Sequence, residues 1–203
     1  MRPKLLIATN NLGKVREYHV LLKGVPFSLV SPMSIGVKTI VIEVGKTFEE
    51  NARLKAQILA KESRLLTLAD DSGLEVDALG GEPGVMSARY AGENATDVER
   101  VRYLLSKLTD VPENKRTAHF RCVIAIARPE GKTEICSGEC SGFIALEPRG
   151  DNGFGYDPIF FVPEMSKTMA ELPVVIKNGI SHRGRAAKQA RRLLYRIARE
   201  HST

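Results

Sequence analysis

Apolar and polar positions divide this chain into alternating strand-length and helix-length segments. Residues 4–8 are an apolar run of strand length, and a helical pattern follows from Lys14 to Leu22. Phe27–Val30 reads as a second strand. Residues 31–45 hold no sustained period, with Thr39–Ile42 as an extended candidate. Thr47 followed by Glu50 is a capping-box pattern that opens a helix to about Ser63. Leu65–Ala69 is a buried-strand pattern ending at Asp70-Asp71-Ser72-Gly73, and Leu74–Asp77 is a short strand candidate. Gly80–Gly84 is a loop, and Thr96 caps a helix reaching about Leu108. Ala118–Ala127 and Lys132–Glu139 predict an antiparallel hairpin across Pro129-Glu130-Gly131. Gly142–Leu146 predicts another strand, residues 149–157 a glycine-rich loop, and Ser181-His182-Arg183-Gly184 leads into a last helix to about Glu200. Strands alternating with helices, then hairpin-like strands, predict an α/β fold with a mixed sheet.

The length, 203 residues, suffices for one domain with a sizeable core and no disulfide staples. The cysteines are three, Cys122, Cys136 and Cys140; an odd number without a second close pair argues against structural zinc and suits a reducing, cytoplasmic setting. No signal peptide and no membrane span is expected, because every apolar run is too short. The net charge of +6 gathers toward the end of the chain, in Lys177, Arg183, Arg185, Lys188, Arg191, Arg192, Arg196 and Arg199 against Glu200. That run reads as the solvated face of a terminal helix without an aromatic stacking platform, so nucleic acid is not the expected partner.

Four clusters carry candidate chemistry. Thr9-Asn10-Asn11-Leu12-Gly13-Lys14 joins a strand to a helix and collects a hydroxyl, two amides, backbone N–H groups and an ammonium at a helix N-terminus, a place that attracts phosphate. Asp70-Asp71-Ser72-Gly73 stands where ligands of α/β sheets gather, beyond a strand's carboxyl end. Two readings stand there: carboxylates for a hard cation such as Mg²⁺, or a polar turn bonded to its own backbone. Glu43, Glu49 and Glu50 are the further acids in reach of the same ion, of which a helix directs at most one of the last two inward. Gly153-Phe154-Gly155-Tyr156-Asp157-Pro158 reads either as a close-approach loop with flat aromatic faces or as a tight turn with core aromatics. His182 and Arg183 read as a capping region or as donors to a base edge or phosphate. Gly45-Lys46-Thr47 and Gly131-Lys132-Thr133 lack the context of a P-loop.

In this order the clusters resemble the inosine triphosphate pyrophosphatase family, over nearly the whole chain. The matching stretches are residues 8–14, 47–52, 69–74, 83–90, 153–160 and 180–184. The resemblance implies an elongated mixed β-sheet with flanking helices, a single domain over residues 1–203 whose two lobes surround a nucleotide cleft, and a homodimer. It also implies Mg²⁺-dependent hydrolysis of non-standard purine nucleoside triphosphates to the monophosphate and pyrophosphate. Carried onto this sequence, Thr9, Asn10, Asn11, Leu12, Gly13 and Lys14 would hold the triphosphate; Asp71 would be proton acceptor and metal ligand; Ser72 would touch substrate. Phe154 would stack on the base beside Gly155, Tyr156 and Asp157, and Lys177, His182 and Arg183 would contact the nucleotide, the last two near the purine edge. Where many relatives carry paired glutamates, this chain has Ile42-Glu43-Val44-Gly45, leaving Glu43 as the second metal candidate. The alternatives are a pyrophosphatase for other modified nucleotides and, in a different class, a basic nucleic-acid-binding protein.

Overall fold

The structure, a computed structural model, describes residues 2–200. The strands are β1 (Lys4–Ile7), β2 (Ser28–Val30), β3 (Leu66–Val76), β4 (Thr117–Ala127), β5 (Thr133–Ile144), β6 (Phe160–Val162) and β7 (Lys167–Thr168). The α-helices are α1 (Leu12–Leu21), α2 (Phe48–Ser63), α3 (Asp97–Lys107), α4 (Val174–Ile180) and α5 (His182–Glu200). The strands make one sheet in the order β2-β1-β3-β4-β5-β6-β7. β1 runs parallel to β2 and β3, whereas β6 is antiparallel to β5 and β7, so the sheet is mixed and the fold α/β.

Contacts divide the chain into two compact units: residues up to Asp71 with Cys122–Gly138 and the chain from Arg183, and Ser72–Arg121 with Glu139–His182. In the first unit the period-2 alternation of strands buries side chains on both faces. Leu5, Ile7, Leu68, Cys122, Ile124 and Ile126 pack with α1 and α5 through Tyr18, Leu22, Ala190 and Leu194. The intervening Leu6, Ala8, Ala69, Ala125 and Ala127 pack with α2 through Ala52, Ala56 and Ala60. In the second unit one face buries Leu74, Val76, Phe120, Ile144 and Phe160 against Val101, Leu104 and Leu108 of α3. The other face carries a cross-strand charge ladder, with Arg121 Nε 2.8 Å from Glu75 and His119 Nε2 3.5 Å from Asp77.

Several expectations need correction. Asp70-Asp71-Ser72-Gly73 does not end a strand; β3 runs unbroken from Leu66 to Val76, mostly buried and lying between β1 and β4 in the sheet. The segment around Thr39–Ile42 forms no strand. Gly142 does not separate two strands but lies inside β5, where a Cβ would stand 2.3 Å from the Phe161 carbonyl oxygen. α4 precedes the last helix and was not expected. The basic run does contain an aromatic, Tyr195, whose hydroxyl donates to the Gly24 carbonyl at 2.8 Å. Arg196 pairs with Glu134, and Arg191 donates to the carbonyls of Leu21 and Lys23.

Candidate active site

In the first unit the chain leaves β1 at Ile7 and re-enters helix at Leu12. Asn11 is the N-cap: its Oδ1 accepts from the Lys14 N–H at 3.0 Å, and its own N–H donates to Thr9 Oγ1 at 3.2 Å. Asn10, Asn11 and Leu12 are exposed around that turn, and Gly13 is buried beneath it. The Lys14 ammonium sits 2.9 Å from Asp70 Oδ2.

Successive residues of a strand face opposite sides, so Asp70 and Asp71 part company. Asp70 lies with the α1 and α5 layer. Besides Lys14 it has Arg183 Nε at 3.6 Å, and Arg183 Nη1 donates to Glu17 Oε2 at 2.7 Å. Asp70, Glu17 and Arg183 are all buried, Arg183 being 2% exposed. Burial would raise the Asp70 carboxyl, but Lys14, Arg183 and Lys55 overcome it and hold the group well below the usual carboxylate range. The Arg183 guanidinium is likewise held charged by Asp70 and Glu17 against the cost of burial. Cys122 lies under this network, its thiol pushed up to about 12 by burial and then by the Asp70 charge, which makes it an inert core residue.

Asp71 faces α2. Its Oδ2 accepts from Asn51 Nδ2 at 3.0 Å, and Asn51 Oδ1 in turn accepts from the Gly45 N–H at 2.7 Å. Burial first and the neighbouring Glu43 second raise the Asp71 carboxyl, with Lys14, Asn51 and Lys55 opposing. Glu43 is ion-paired to Lys55, one helical turn beyond Asn51. The other two acids have separate work. Glu50 closes the capping box of α2 and accepts from the Lys46 N–H at 2.7 Å, and Glu49 pairs with Arg53 at 2.8 Å on the surface. Asp71 and Glu43, in the company of Lys55, are a donor set suited to Mg²⁺, which takes one or two carboxylates and completes its shell with water and phosphate oxygens.

In the second unit Ser72 continues β3, and the glycine-rich loop is folded on its own charges. Asp157 Oδ2 accepts from the Phe154 N–H at 2.8 Å and from Lys177 Nζ at 2.5 Å. The same ammonium lies 5.1 Å from the Phe154 ring centroid. Gly153, at φ +83°, is required here, since a Cβ would come within 2.1 Å of that Asp157 oxygen. The Gly155 N–H donates to Asp97 Oδ2 at 2.7 Å, and the Tyr156 hydroxyl to the Ser87 carbonyl at 2.9 Å. Tyr156 is buried in the core; the Phe154 side of the loop is half-buried. The His182 ring stacks on Phe120 with centroids 4.6 Å apart.

The structure thus groups Thr9–Lys14, Glu43, Asp71 and Arg183 in one unit, and Ser72, Phe154–Asp157, Lys177 and His182 in the other. Sequence reasoning missed Glu17, Asn51, Lys55 and Asp97. Glu17 follows Lys14 by three positions, and Asn51 and Lys55 follow Thr47 at helical spacing, so periodicity held a signal for these three.

Comparison with known proteins identifies the family. The Ham1 family model matches residues 5–193. The chain is 55% identical to a dITP/XTP pyrophosphatase of Geobacter sulfurreducens, covering 90% of this chain and 92% of that one. It is 52% identical to one from Desulforamulus reducens, covering 96% of each. Among solved structures, a Ham1 protein from Coxiella burnetii superposes with a TM-score of 0.87 at 44% identity, over 95% of this chain and 98% of the other. The Staphylococcus aureus Ham1 protein gives a TM-score of 0.84 at 44% identity, covering 94% of this chain and 97% of the other. With a family model spanning most of its length and relatives of this identity, the chain belongs to the Ham1 family.

Proposed function

We infer that this protein hydrolyses non-standard purine nucleoside triphosphates, the activity named for its dITP/XTP pyrophosphatase relatives. The observation that carries the reading is the placement of Lys14 beside β3, bonded to Asp70 and electrostatically coupled to Asp71. The anionic tail of a nucleoside triphosphate is matched in the first unit by the Lys14 ammonium and a helix N-terminus, and Phe154 is the flat aromatic face that the resemblance assigns to the base. The products are the nucleoside monophosphate and pyrophosphate. Asp71 and Glu43 would hold Mg²⁺, which when bound offsets phosphate charge and polarises the bond to be broken.

The chain's own residues then do the following. Thr9–Lys14 bind and orient the triphosphate, and Lys14 offsets charge that develops on the leaving pyrophosphate. Asp71, its proton affinity raised by burial and Glu43, takes the proton of the attacking water. Asn51 fixes the carboxylate's orientation through its 3.0 Å hydrogen bond. For the base, the 6-oxo group of hypoxanthine and xanthine suits donor groups that repel the 6-amino group of adenine; one matched contact discriminates by about 1–3 kcal/mol. The resemblance further supports a homodimer. The cysteines, which form no disulfide, support a reducing, cytoplasmic compartment, and no helix among the described residues is long and apolar enough to cross a membrane.

The test is pyrophosphate release from inosine, xanthosine, adenosine and guanosine triphosphates, with and without Mg²⁺. The expected result is Mg²⁺-dependent turnover with kcat/KM highest for the first two. Equal values for all four would refute the base-reading scheme. Salt-sensitive oligonucleotide binding without triphosphate hydrolysis would favour the nucleic-acid reading.

A further inference from the structure

The loop bearing Phe154 is fastened at two successive amides from two directions. The Phe154 N–H is satisfied within the loop, by Asp157 three residues on. The next amide, Gly155, reaches outside it to Asp97 at the first position of α3, 58 residues away in sequence. Asp97 is itself held. The α3 terminus is fixed by a complete capping box between Thr96 and Glu99, and the second Asp97 oxygen pairs with Arg100. Arg100 also donates to the carbonyls of Ala88 and Ala95, both at 2.8 Å. Gly155 has φ +63°, and without a Cβ the Phe154–Gly155 peptide has little intrinsic preference for one orientation. A carboxylate accepting from its N–H at 2.7 Å supplies that preference, because charge-assisted hydrogen bonds are the strong ones. The peptide plane in turn carries the Cα from which the Phe154 ring projects.

We propose that Asp97 is a positioning residue that sets purine selectivity by locking the Gly155 amide and so the angle of the Phe154 ring. The proposal rests on the reading of Phe154–Asp157 as the wall against the base. Asp97 contacts no reacting atom in this scheme. Its loss should therefore leave the chemical step intact and relax how the base is held, since a preorganised wall lowers the ordering cost of binding.

The experiment compares wild type, Asp97→Ala, Asp97→Asn and Phe154→Ala in steady-state hydrolysis of inosine and adenosine triphosphates, with thermal unfolding as the check on folding. For Asp97→Ala, KM for inosine triphosphate should rise and the inosine-over-adenosine ratio of kcat/KM should fall, each about tenfold, with kcat close to wild type. Asp97→Asn keeps a neutral acceptor oxygen and should lie between the two, with faster hydrogen exchange at the Gly155 amide and unchanged exchange at Leu104 inside α3. A fall in kcat with KM and ratio unchanged in Asp97→Ala would overturn the proposal, as would Asp97→Asn being as impaired as Asp97→Ala. Should Asp97→Ala not fold, wild-type selectivity together with wild-type Gly155 exchange in Asp97→Asn overturns it. Phe154→Ala separates the two layers. If its KM and ratio stay at wild type, the base-wall reading itself fails; if they shift while those of Asp97→Ala do not, only the role of Asp97 fails.

Discussion

Asp70 and Asp71 are neighbours with the same side chain and opposite fates, and the difference is the face of β3 that each occupies. Asp70 is enclosed by cations and held charged; Asp71 is raised by burial and by Glu43. The consequences for stability have opposite signs. A lowered carboxyl stabilises the fold above its ordinary pKa, and that contribution is lost as pH falls through the lowered value. Asp70→Asn leaves Lys14 and Arg183 without their shared counter-charge and should cost about 3 kcal/mol or more in urea unfolding at neutral pH. A raised carboxyl favours the fold only below its ordinary pKa, and that contribution disappears as pH rises through the raised value, so charged Asp71 is a burden at neutral pH. Asp71→Asn should therefore raise the Tm in metal-free buffer while cutting turnover by about 10²-fold or more. Turnover of the wild type should rise with pH as Asp71 loses its proton. Near wild-type turnover for Asp71→Asn at saturating Mg²⁺ would end its assignment as the base.

At the scale of elements, the helices were legible because their starts are chemical. Thr47 with Glu50 and Thr96 with Glu99 form the capping boxes that their spacing announces. α2 carries Asn51 and Lys55 toward Asp71 and Glu43, so its cap matters beyond its own stability. Thr47→Ala should cost about 1 kcal/mol of stability in denaturant unfolding. Strand limits were less legible. Asp70-Asp71-Ser72-Gly73 reads locally as a turn, yet β3 stays extended and mostly buried through it, between β1 and β4 in the sheet. Gly142 reads as a break, yet it is there for the close approach of β6 at Phe161. The partner of Gly155, supplied by α3, has no local signature at all, because 58 residues intervene.

For the whole molecule, charge is a poor guide to partner. Of the cations that gather toward the end of the chain, Lys177 and Arg183 are buried and paired with Asp157 and Glu17, and Arg196 is matched by Glu134. Part of that cationic run is therefore neutralised in ion pairs with acidic side chains. The proposed homodimer predicts twice the chain mass in light scattering at micromolar concentration, and a monomeric mass there would exclude it. The most direct measurement is phosphorus NMR of inosine triphosphate incubated with the protein and Mg²⁺. Equimolar inosine monophosphate and pyrophosphate, formed by wild type and not by Asp71→Asn, is the predicted outcome; release of single orthophosphate, or an unchanged triphosphate, would contradict it.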